Sequence, residues 1–281
     1  MSQLLFLDNQ FHRAGQPLIS VDNRSFRYGD GLFETLRCKT ENIQLADFHF
    51  DRLFSGMQLL GFEPPSFFTR NYLAEKVQQL LHRNGHSQLA RVRLTVFRGD
   101  GGPFDAVSGY PHLLIQSWAL SAGTKKINEN GLVLGIHQLT KKPIDQLANC
   151  KTNNYLSPLM AARAAKKNHW NDAVILNTAD RVCETTIANI FLFNNDLLIT
   201  PALTEAPVAG TMRRHILQQA RHLQIPIEER AVTVAELLEA EEVFISNAIQ
   251  GIRWVASLEN KNFVHSKTSA LFQQLITPLW Q

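Results

Sequence analysis

The sequence predicts an α+β fold in two domains, a smaller α+β domain at the N-terminus and a barrel-like domain after it. Three observations lead there. Strand-like and helical segments alternate over the first 120 residues. Residues 121–130, with Gly123, Lys125, Lys126, Asn128 and Asn130, are polar and short on core side chains, which marks a linker. Beyond them, short apolar strands and polar turns recur around three helices. The domains are therefore set at 1–120 and 131–281, with 121–130 between them. With 281 residues, 44% hydrophobic and 19% charged, the chain can bury a sizeable core.

In the first domain, residues 4–7, 32–38, 91–97 and 112–118 have strand-like composition, while 47–60 and 71–82 have helical periodicity. Asp47 is the expected N-cap of the first helix. Phe50, Leu53, Phe54, Met57 and Leu60 form its buried stripe, and Gly61 ends it. His49, Arg52 and Gly56 share another face. Glycine weakens a helix, so Gly56 implies that something approaches closely there. Alternation along 91–97, continued one step, puts Arg98 on the face of Val92, Leu94 and Val96, away from Arg91 and Arg93. An arginine on an apolar face needs an anionic partner. The loop that follows, Arg98-Gly99-Asp100-Gly101-Gly102, lacks the Gly-Lys-Ser/Thr ending of a phosphate-binding loop.

In the second domain, strands at 131–139 and 172–177 flank Lys151 and a helix at 155–167. The turn Thr178-Ala179-Asp180 leads into an apolar strand headed by Glu184 and running through Phe191. After a turn at Asn194-Asn195, residues 197–200 return, followed by a helix at 211–223, a strand-rich stretch at 242–258 and a closing helix at 267–275.

Composition excludes several classes. Leu4-Leu5-Phe6-Leu7 is too short for a signal-peptide core, and no apolar run reaches the length of a membrane span, so a cytoplasmic protein with no membrane partner is expected. Cys38, Cys150 and Cys183 are far apart, odd in number and without metal-ligand spacing; they read as reduced core residues, with no metal site. A net charge of +3, spread along the chain, does not suggest nucleic-acid binding but suits anionic small molecules.

Three features carry chemistry. Lys151 lies between a strand-like run and an amphipathic helix, Glu184 leads an apolar strand, and Gly210-Thr211-Met212-Arg213 opens a helix. Pyridoxal 5'-phosphate needs such a set: an amine for its aldehyde, a charged partner for its ring nitrogen and an anion site for its phosphate.

Five blocks in order widen this into a family resemblance. They are Val21 through Thr35 (Val-Asp-Asn-Arg-Ser-Phe-Arg-Tyr-Gly-Asp-Gly-Leu-Phe-Glu-Thr), the Lys151 segment, the Glu184 strand, the Gly210 helix start and Val243-Phe244-Ile245-Ser246-Asn247-Ala248. Over nearly its whole length the chain resembles the class IV pyridoxal phosphate enzymes: branched-chain aminotransferases, D-amino acid aminotransferases and 4-amino-4-deoxychorismate lyases. The resemblance implies the two-domain, D-amino acid aminotransferase-like architecture of fold type IV, with the cofactor at the domain junction. It makes Lys151 the catalytic lysine and puts Glu184 at the ring nitrogen. Arg52, in His49-Phe50-Asp51-Arg52-Leu53, would bind the phosphate together with backbone amides near Ile187, Ala188, Thr211 and Met212. Tyr155 would bond the ring hydroxyl. Phe33, Arg98, Ser246, Asn247 and Ala248 fall on the substrate side. The family also implies a homodimer acting on a small molecule.

Four features lean towards the lyase, which releases pyruvate and 4-aminobenzoate, a folate precursor, from 4-amino-4-deoxychorismate. They are the Arg98-Gly99-Asp100-Gly101-Gly102 loop, the Lys151-x-x-Asn154 spacing, Met212 where aminotransferases usually have threonine, and Ser246-Asn247-Ala248 in place of Gly-Thr-Ala. Phe33 stands where D-amino acid aminotransferases carry a carboxylate-trapping tyrosine, and Asp100 replaces their histidine. An aminotransferase for branched-chain or D-amino acids and 2-oxo acids is the alternative. A catalytically silent binding protein on the same fold is a third reading, against which Lys151 argues.

Overall fold

The computed structural model describes residues 4–105, 108–121, 123 and 126–280; of the expected linker, residues 122, 124 and 125 lie outside the described residues. The chain divides into two compact units, Met1–Ala122 with Cys150–Asn154, and Gly123–Asn149 with Tyr155–Gln281. The short segment that carries Lys151 thus belongs to the first unit, although its neighbours on both sides belong to the second.

The first unit runs β1 (Leu4–Leu7), β2 (Gln10–Arg13), α1 (Arg24–Tyr28), β3 (Gly31–Lys39), β4 (Asn42–Ile43), α2 (Ala46–Leu59), α3 (Arg70–Arg83), β5 (Leu89–Phe97) and β6 (His112–Ala119). Its strands form one sheet in the order β2-β1-β6-β5-β3-β4. Period-two alternation sorts its faces. Leu32 and Leu36 of β3 and Val92, Leu94 and Val96 of β5 pack with Phe50, Leu53 and Met57 of α2 and with Leu73, Val77 and Leu80 of α3. The alternate residues Phe33, Thr35 and Arg37 lie opposite Thr95, Arg93 and Arg91 in the β3–β5 register, and so share the other face. Burial there brings the Arg37 guanidinium down to about 10.

Asp47 is not the N-cap of α2. Leu45, in the left-handed region at φ 54°, precedes the first turn, and Asp47 falls inside that turn, where a carboxylate still favours the helix dipole. The close approach implied by Gly56 is made by Leu32: a Cβ at Gly56 would come within 2.9 Å of its Cδ1. β2, α1 and β4 were not expected, because elements this short carry no readable periodicity. α1 is set by its cap, Asn23, whose Oδ1 accepts from the Ser25 and Phe26 amides.

The second unit contains β7 (Leu132–Lys142), α4 (Leu156–Lys167), β8 (Asp172–Asn177), β9 (Val182–Thr185), β10 (Asn189–Asn194), β11 (Leu197–Pro201), α5 (Thr211–His222), β12 (Ile227–Arg230), α6 (Val234–Glu239), β13 (Glu242–Asn247), β14 (Gly251–Leu258), β15 (Lys261–Asn262), α7 (Ser266–Leu271) and α8 (Thr277–Trp280). Its sheet runs β12-β11-β10-β13-β14-β7-β8-β9, with β15 on β14. This sheet curls: the amide of Val182, on the β9 edge, donates to the carbonyl of Val232, two residues past the opposite edge strand, at 2.9 Å. Val174, Leu176, Ile190, Leu192, Val243 and Val255 fill its inside. α4 covers the other face, with Ala161 and Ala165 against Ala173 and Ile175. The architecture is the α+β one expected, with a curled, barrel-like sheet in the second half.

Three expectations are corrected here. The strand headed by Glu184 breaks at Thr186-Ile187-Ala188 into β9 and β10. The strand ending at 139 continues to Lys142 through a register shift after His137. The closing helix splits into α7, a π-helical turn at Phe272–Ile276, and α8. No described helix is long and apolar enough to cross a membrane, and the three cysteines are free thiols.

Candidate active site

In the first unit, the Lys151 segment is laid along the start of β3. The Phe33 amide donates to the Lys151 carbonyl at 2.9 Å, and the Asn153 amide to the Gly31 carbonyl at 2.9 Å. Asn153 Nδ2 also donates to Ser25 Oγ, 2.9 Å, on α1. These bonds fix the lysine at its backbone, and its Nζ stands 4.6 Å from the centre of the Phe33 ring.

Arg52 is held by a buried carboxylate. Its Nε and Nη2 donate to Glu34 Oε1 and Oε2 at 2.8 and 2.5 Å, and His49 Nδ1 lies 2.6 Å from Glu34 Oε2. One edge of the guanidinium fork expected to meet a phosphate is therefore spent on orienting the side chain. Burial would raise the Glu34 carboxyl, but Arg52 and His49 outweigh it and bring it down to about 2. Burial pushes His49 down despite Glu34, so it is neutral and donates through Nδ1.

Arg98, expected at the substrate, is tied into the scaffold instead. Its Nε donates to Asp30 Oδ1 at 3.2 Å, Nη1 to the Ser108 carbonyl at 3.3 Å and Nη2 to the Leu60 carbonyl, and its plane lies over Phe62. Asp30 also accepts from Arg24 Nε at 2.8 Å. The anionic partner that Arg98 required is thus Asp30. The arginine brought to the Phe33 ring is Arg93, with its guanidinium carbon 3.7 Å from the ring centre. Sequence reasoning missed it, although period-two alternation from Arg98 already put Arg93 on the other face.

In the second unit, Glu184 is 6% exposed. Its Oε1 pairs with Lys142 Nζ at 2.5 Å, and its Oε2 accepts from the Val208 amide at 2.9 Å. Lys142 was not anticipated, because the strand bearing it was expected to stop at residue 139. Tyr155, expected at a ring hydroxyl, precedes α4 and donates its own hydroxyl to the Thr186 carbonyl.

Of the residues expected at the phosphate, those of the second unit gather around the start of α5. The Thr186-Ile187-Ala188 turn is closed by the Thr185 amide on the Ala188 carbonyl, 2.8 Å, and pinned by Asp172 Oδ1, which accepts from the Thr186 amide and hydroxyl at 3.1 and 2.6 Å. Asn189 follows the turn. It pairs with Ser246 across β10 and β13, and its Nδ2 donates to the Val208 carbonyl at 2.8 Å. A Cβ on Gly210 would fall 1.8 Å from Asn189 Oδ1, so only glycine lets the helix start lie against this strand end. Thr211 and Met212 then open α5 with buried side chains, and the first amides of a helix have no partner within it. Ser246 Oγ is buried without a hydrogen-bond partner. Asn247, expected to face substrate, is turned back on its own chain: its Oδ1 accepts from the Ile249 and Gln250 amides, and Ala248 lies within that turn.

These residues suit pyridoxal phosphate. A helix start that a Cβ would obstruct, an orphaned buried hydroxyl beside it and a gripped carboxylate joined to it through Val208 match a phosphate and a ring nitrogen. In the first unit, Lys151 carries an amine of the kind the cofactor's aldehyde needs. Among the described residues no group of three or more histidine, cysteine, aspartate or glutamate side chains could hold a metal ion.

Comparison with known proteins agrees. An aminodeoxychorismate lyase of Vibrio harveyi is 29% identical over 251 residues, 88% of this chain and 90% of its own. A D-alanine aminotransferase of Listeria monocytogenes is 24% identical over 274 residues, 96% of this chain and 93% of its own. The crystal structure of 4-amino-4-deoxychorismate lyase from Pseudomonas aeruginosa superposes with a TM-score of 0.80 at 26% identity, covering 96% of this chain and 97% of that one. The family model for amino-transferase class IV matches residues 31–258, and the chain belongs to that family of pyridoxal phosphate-dependent enzymes.

Proposed function

We propose that the protein is a lyase that converts 4-amino-4-deoxychorismate to 4-aminobenzoate and pyruvate. The observation that carries this reading is Phe33, whose ring has Lys151 Nζ at 4.6 Å and the Arg93 guanidinium at 3.7 Å. An amino-acid substrate has its carboxylate on the carbon that bears the amine, and a tyrosine hydroxyl at this place helps to trap it in the D-amino acid aminotransferases. In aminodeoxychorismate the amine-bearing carbon belongs to a ring and has no carboxylate. A phenylalanine offers that ring an apolar plane, and Arg93 offers a cation to a carboxylate farther away.

Pyridoxal phosphate, when bound, withdraws electrons from the carbon carrying the substrate amine. Lys151 Nζ holds the cofactor and then acts as the base, taking the proton from that carbon. The bond from the ring to the enolpyruvyl oxygen breaks with its electron pair on oxygen, the ring becomes aromatic, and the departing enolate gains a proton at carbon to become pyruvate. Glu184 would serve the ring nitrogen and keep it protonated. By the family resemblance, Arg52, aimed by Glu34 and His49, would be a phosphate ligand, as would the amides of Ile187, Ala188, Thr211 and Met212 in the second unit; the orphaned hydroxyl of Ser246 there would join them. Arg93 takes the substrate role first given to Arg98. The working protein is a cytoplasmic homodimer acting on a small molecule, with no nucleic-acid or membrane partner.

The test is to mix cofactor-loaded protein with 4-amino-4-deoxychorismate and follow the fluorescence of 4-aminobenzoate, with Lys151→Ala as control. Product formation that requires Lys151 supports the lyase. A loaded protein that forms no product is not this lyase. The second reading, a class IV aminotransferase, is favoured by the likeness to the Listeria D-alanine enzyme, and amino-group exchange between amino acids and 2-oxo acids would establish it.

A further inference from the structure

Lys142 reaches Glu184 through an irregularity in β7. Glu184 lies opposite Ile175 in the β8–β9 register, so its side chain shares the face of Ile175. On β7, His137 lies opposite Ile175 and Lys142 opposite Asn177, so five steps along β7 match two along β8. In a regular strand, residue 142 would point away from the face of residue 137, since the two differ by an odd number. The extra residues reverse this parity and put Lys142 on the face of Glu184.

The irregularity is built rather than loose. His137 Nε2 accepts from the Thr140 amide at 3.2 Å and lies 2.9 Å from Thr140 Oγ1, which is 3.0 Å from Ser157 Oγ on α4. His137 is itself buried. The bulge is therefore locked to the helix that covers this face. With Lys142 on Oε1 and the Val208 amide on Oε2, both carboxylate oxygens are oriented from different elements. A buried glutamate held on one oxygen could still turn about its side-chain bonds; held on both, its remaining lone pairs point one way.

We propose that Lys142 is a positioning residue for the cofactor's ring nitrogen, acting through Glu184, and that the β7 bulge serves to deliver it. This rests on the reading of Glu184 as the ring-nitrogen partner. Lys141, one residue earlier, pairs instead with Asp180 at the surface and has no such role.

The experiment uses apoprotein titrated with pyridoxal phosphate labelled with 15N in the ring, reading both affinity and the nitrogen resonance, in Lys142→Met, Lys142→Arg, Glu184→Gln and the double variant Lys142→Met/Glu184→Gln, with Lys141→Met as control. Lys142→Met is expected to weaken binding about tenfold. It should also move the resonance towards that of the unprotonated ring, as Glu184→Gln does, while Lys142→Arg restores both. The double variant should lose no more than Glu184→Gln alone, because Lys142 acts through that carboxylate. A Lys142→Met protein with unchanged affinity and resonance, while Glu184→Gln changes both, overturns the proposal and leaves the reading of Glu184 standing. Losses that add in the double variant, or a loss of folding stability with the resonance unmoved, also overturn it by making Lys142 merely structural. If Glu184→Gln itself leaves the resonance in place, the reading of Glu184 fails and the proposal with it. Should Lys142→Met not fold, Lys142→Gln is judged by the same outcomes.

Discussion

The Phe33 main-chain amide donates to the Lys151 carbonyl across 2.9 Å, so the lysine's backbone is an added rung on the start of β3. The side chain on that amide is the same ring that Lys151 Nζ approaches. The rung depends on Gly31, where an added Cβ would meet Asn153 Nδ2 and the Val96 carbonyl at 2.6 Å each. Gly31→Ala must push the lysine segment off the strand. Misplacing a reacting group by about 1 Å can lower turnover about a hundredfold. Steady-state kinetics on Gly31→Ala should show that loss, and near-wild-type kcat would mean that the segment is not positioned by this pairing.

The Glu34, His49 and Arg52 cluster predicts how stability depends on pH. The Glu34 carboxyl is near 2 in the folded protein and near 4.5 in the unfolded chain. Its folded value is depressed, so its contribution is complete above about 4.5 and is lost as pH falls towards 2. His49 is depressed as well, so its share is lost below its ordinary value of 6.5, in the same direction. Glu34→Gln takes the buried carboxylate from both Arg52 and His49 and should cost about 3–5 kcal/mol at neutral pH while flattening the acid limb. Urea melts at several pH values check this, and an unaltered slope between pH 2 and 4.5 would contradict it.

Gly210→Ala places a methyl group where Asn189 Oδ1 now lies. The helix start must retreat from the strand end, taking the Thr211 and Met212 amides with it. Pyridoxal phosphate binding should weaken by about tenfold or more, while pyridoxal, which lacks the phosphate, should lose less. Equal losses for both compounds would show that the helix start does not hold the phosphate.

Arg93 and Arg98 should separate cleanly. Arg98→Ala leaves the half-buried Asp30 with one cation fewer and should lower the melting temperature by several degrees, with KM little changed in the protein that remains folded. Arg93→Ala should raise KM about tenfold or more with little effect on melting. The reverse pattern, a KM effect from Arg98, would return it to the substrate role its sequence position suggested.

The second half also shows where sequence reasoning stops. The long helices α2, α3, α4 and α5 and the sheet core of the first unit were legible because periodicity leaves marks along the chain. Gly56 was legible as a close approach, but not that Leu32 makes it. The break after Thr185 was hidden, since Thr186-Ile187-Ala188 is as apolar as a strand, and only the carboxylate of Asp172, far back in sequence, pins it as a turn.

The sequence by itself determined the fold class, through hydrophobic period, and the family, through five short blocks that resemble the class IV enzymes. The tertiary structure decided which charges face which. Arg98 went to Asp30, Arg52 to Glu34, and Glu184 to Lys142, each partner distant along the chain. The physical reason is that a buried charge takes whichever opposite charge the packing brings within about 3 Å. That choice depends on strand register, down to a bulge that reverses the parity of one lysine.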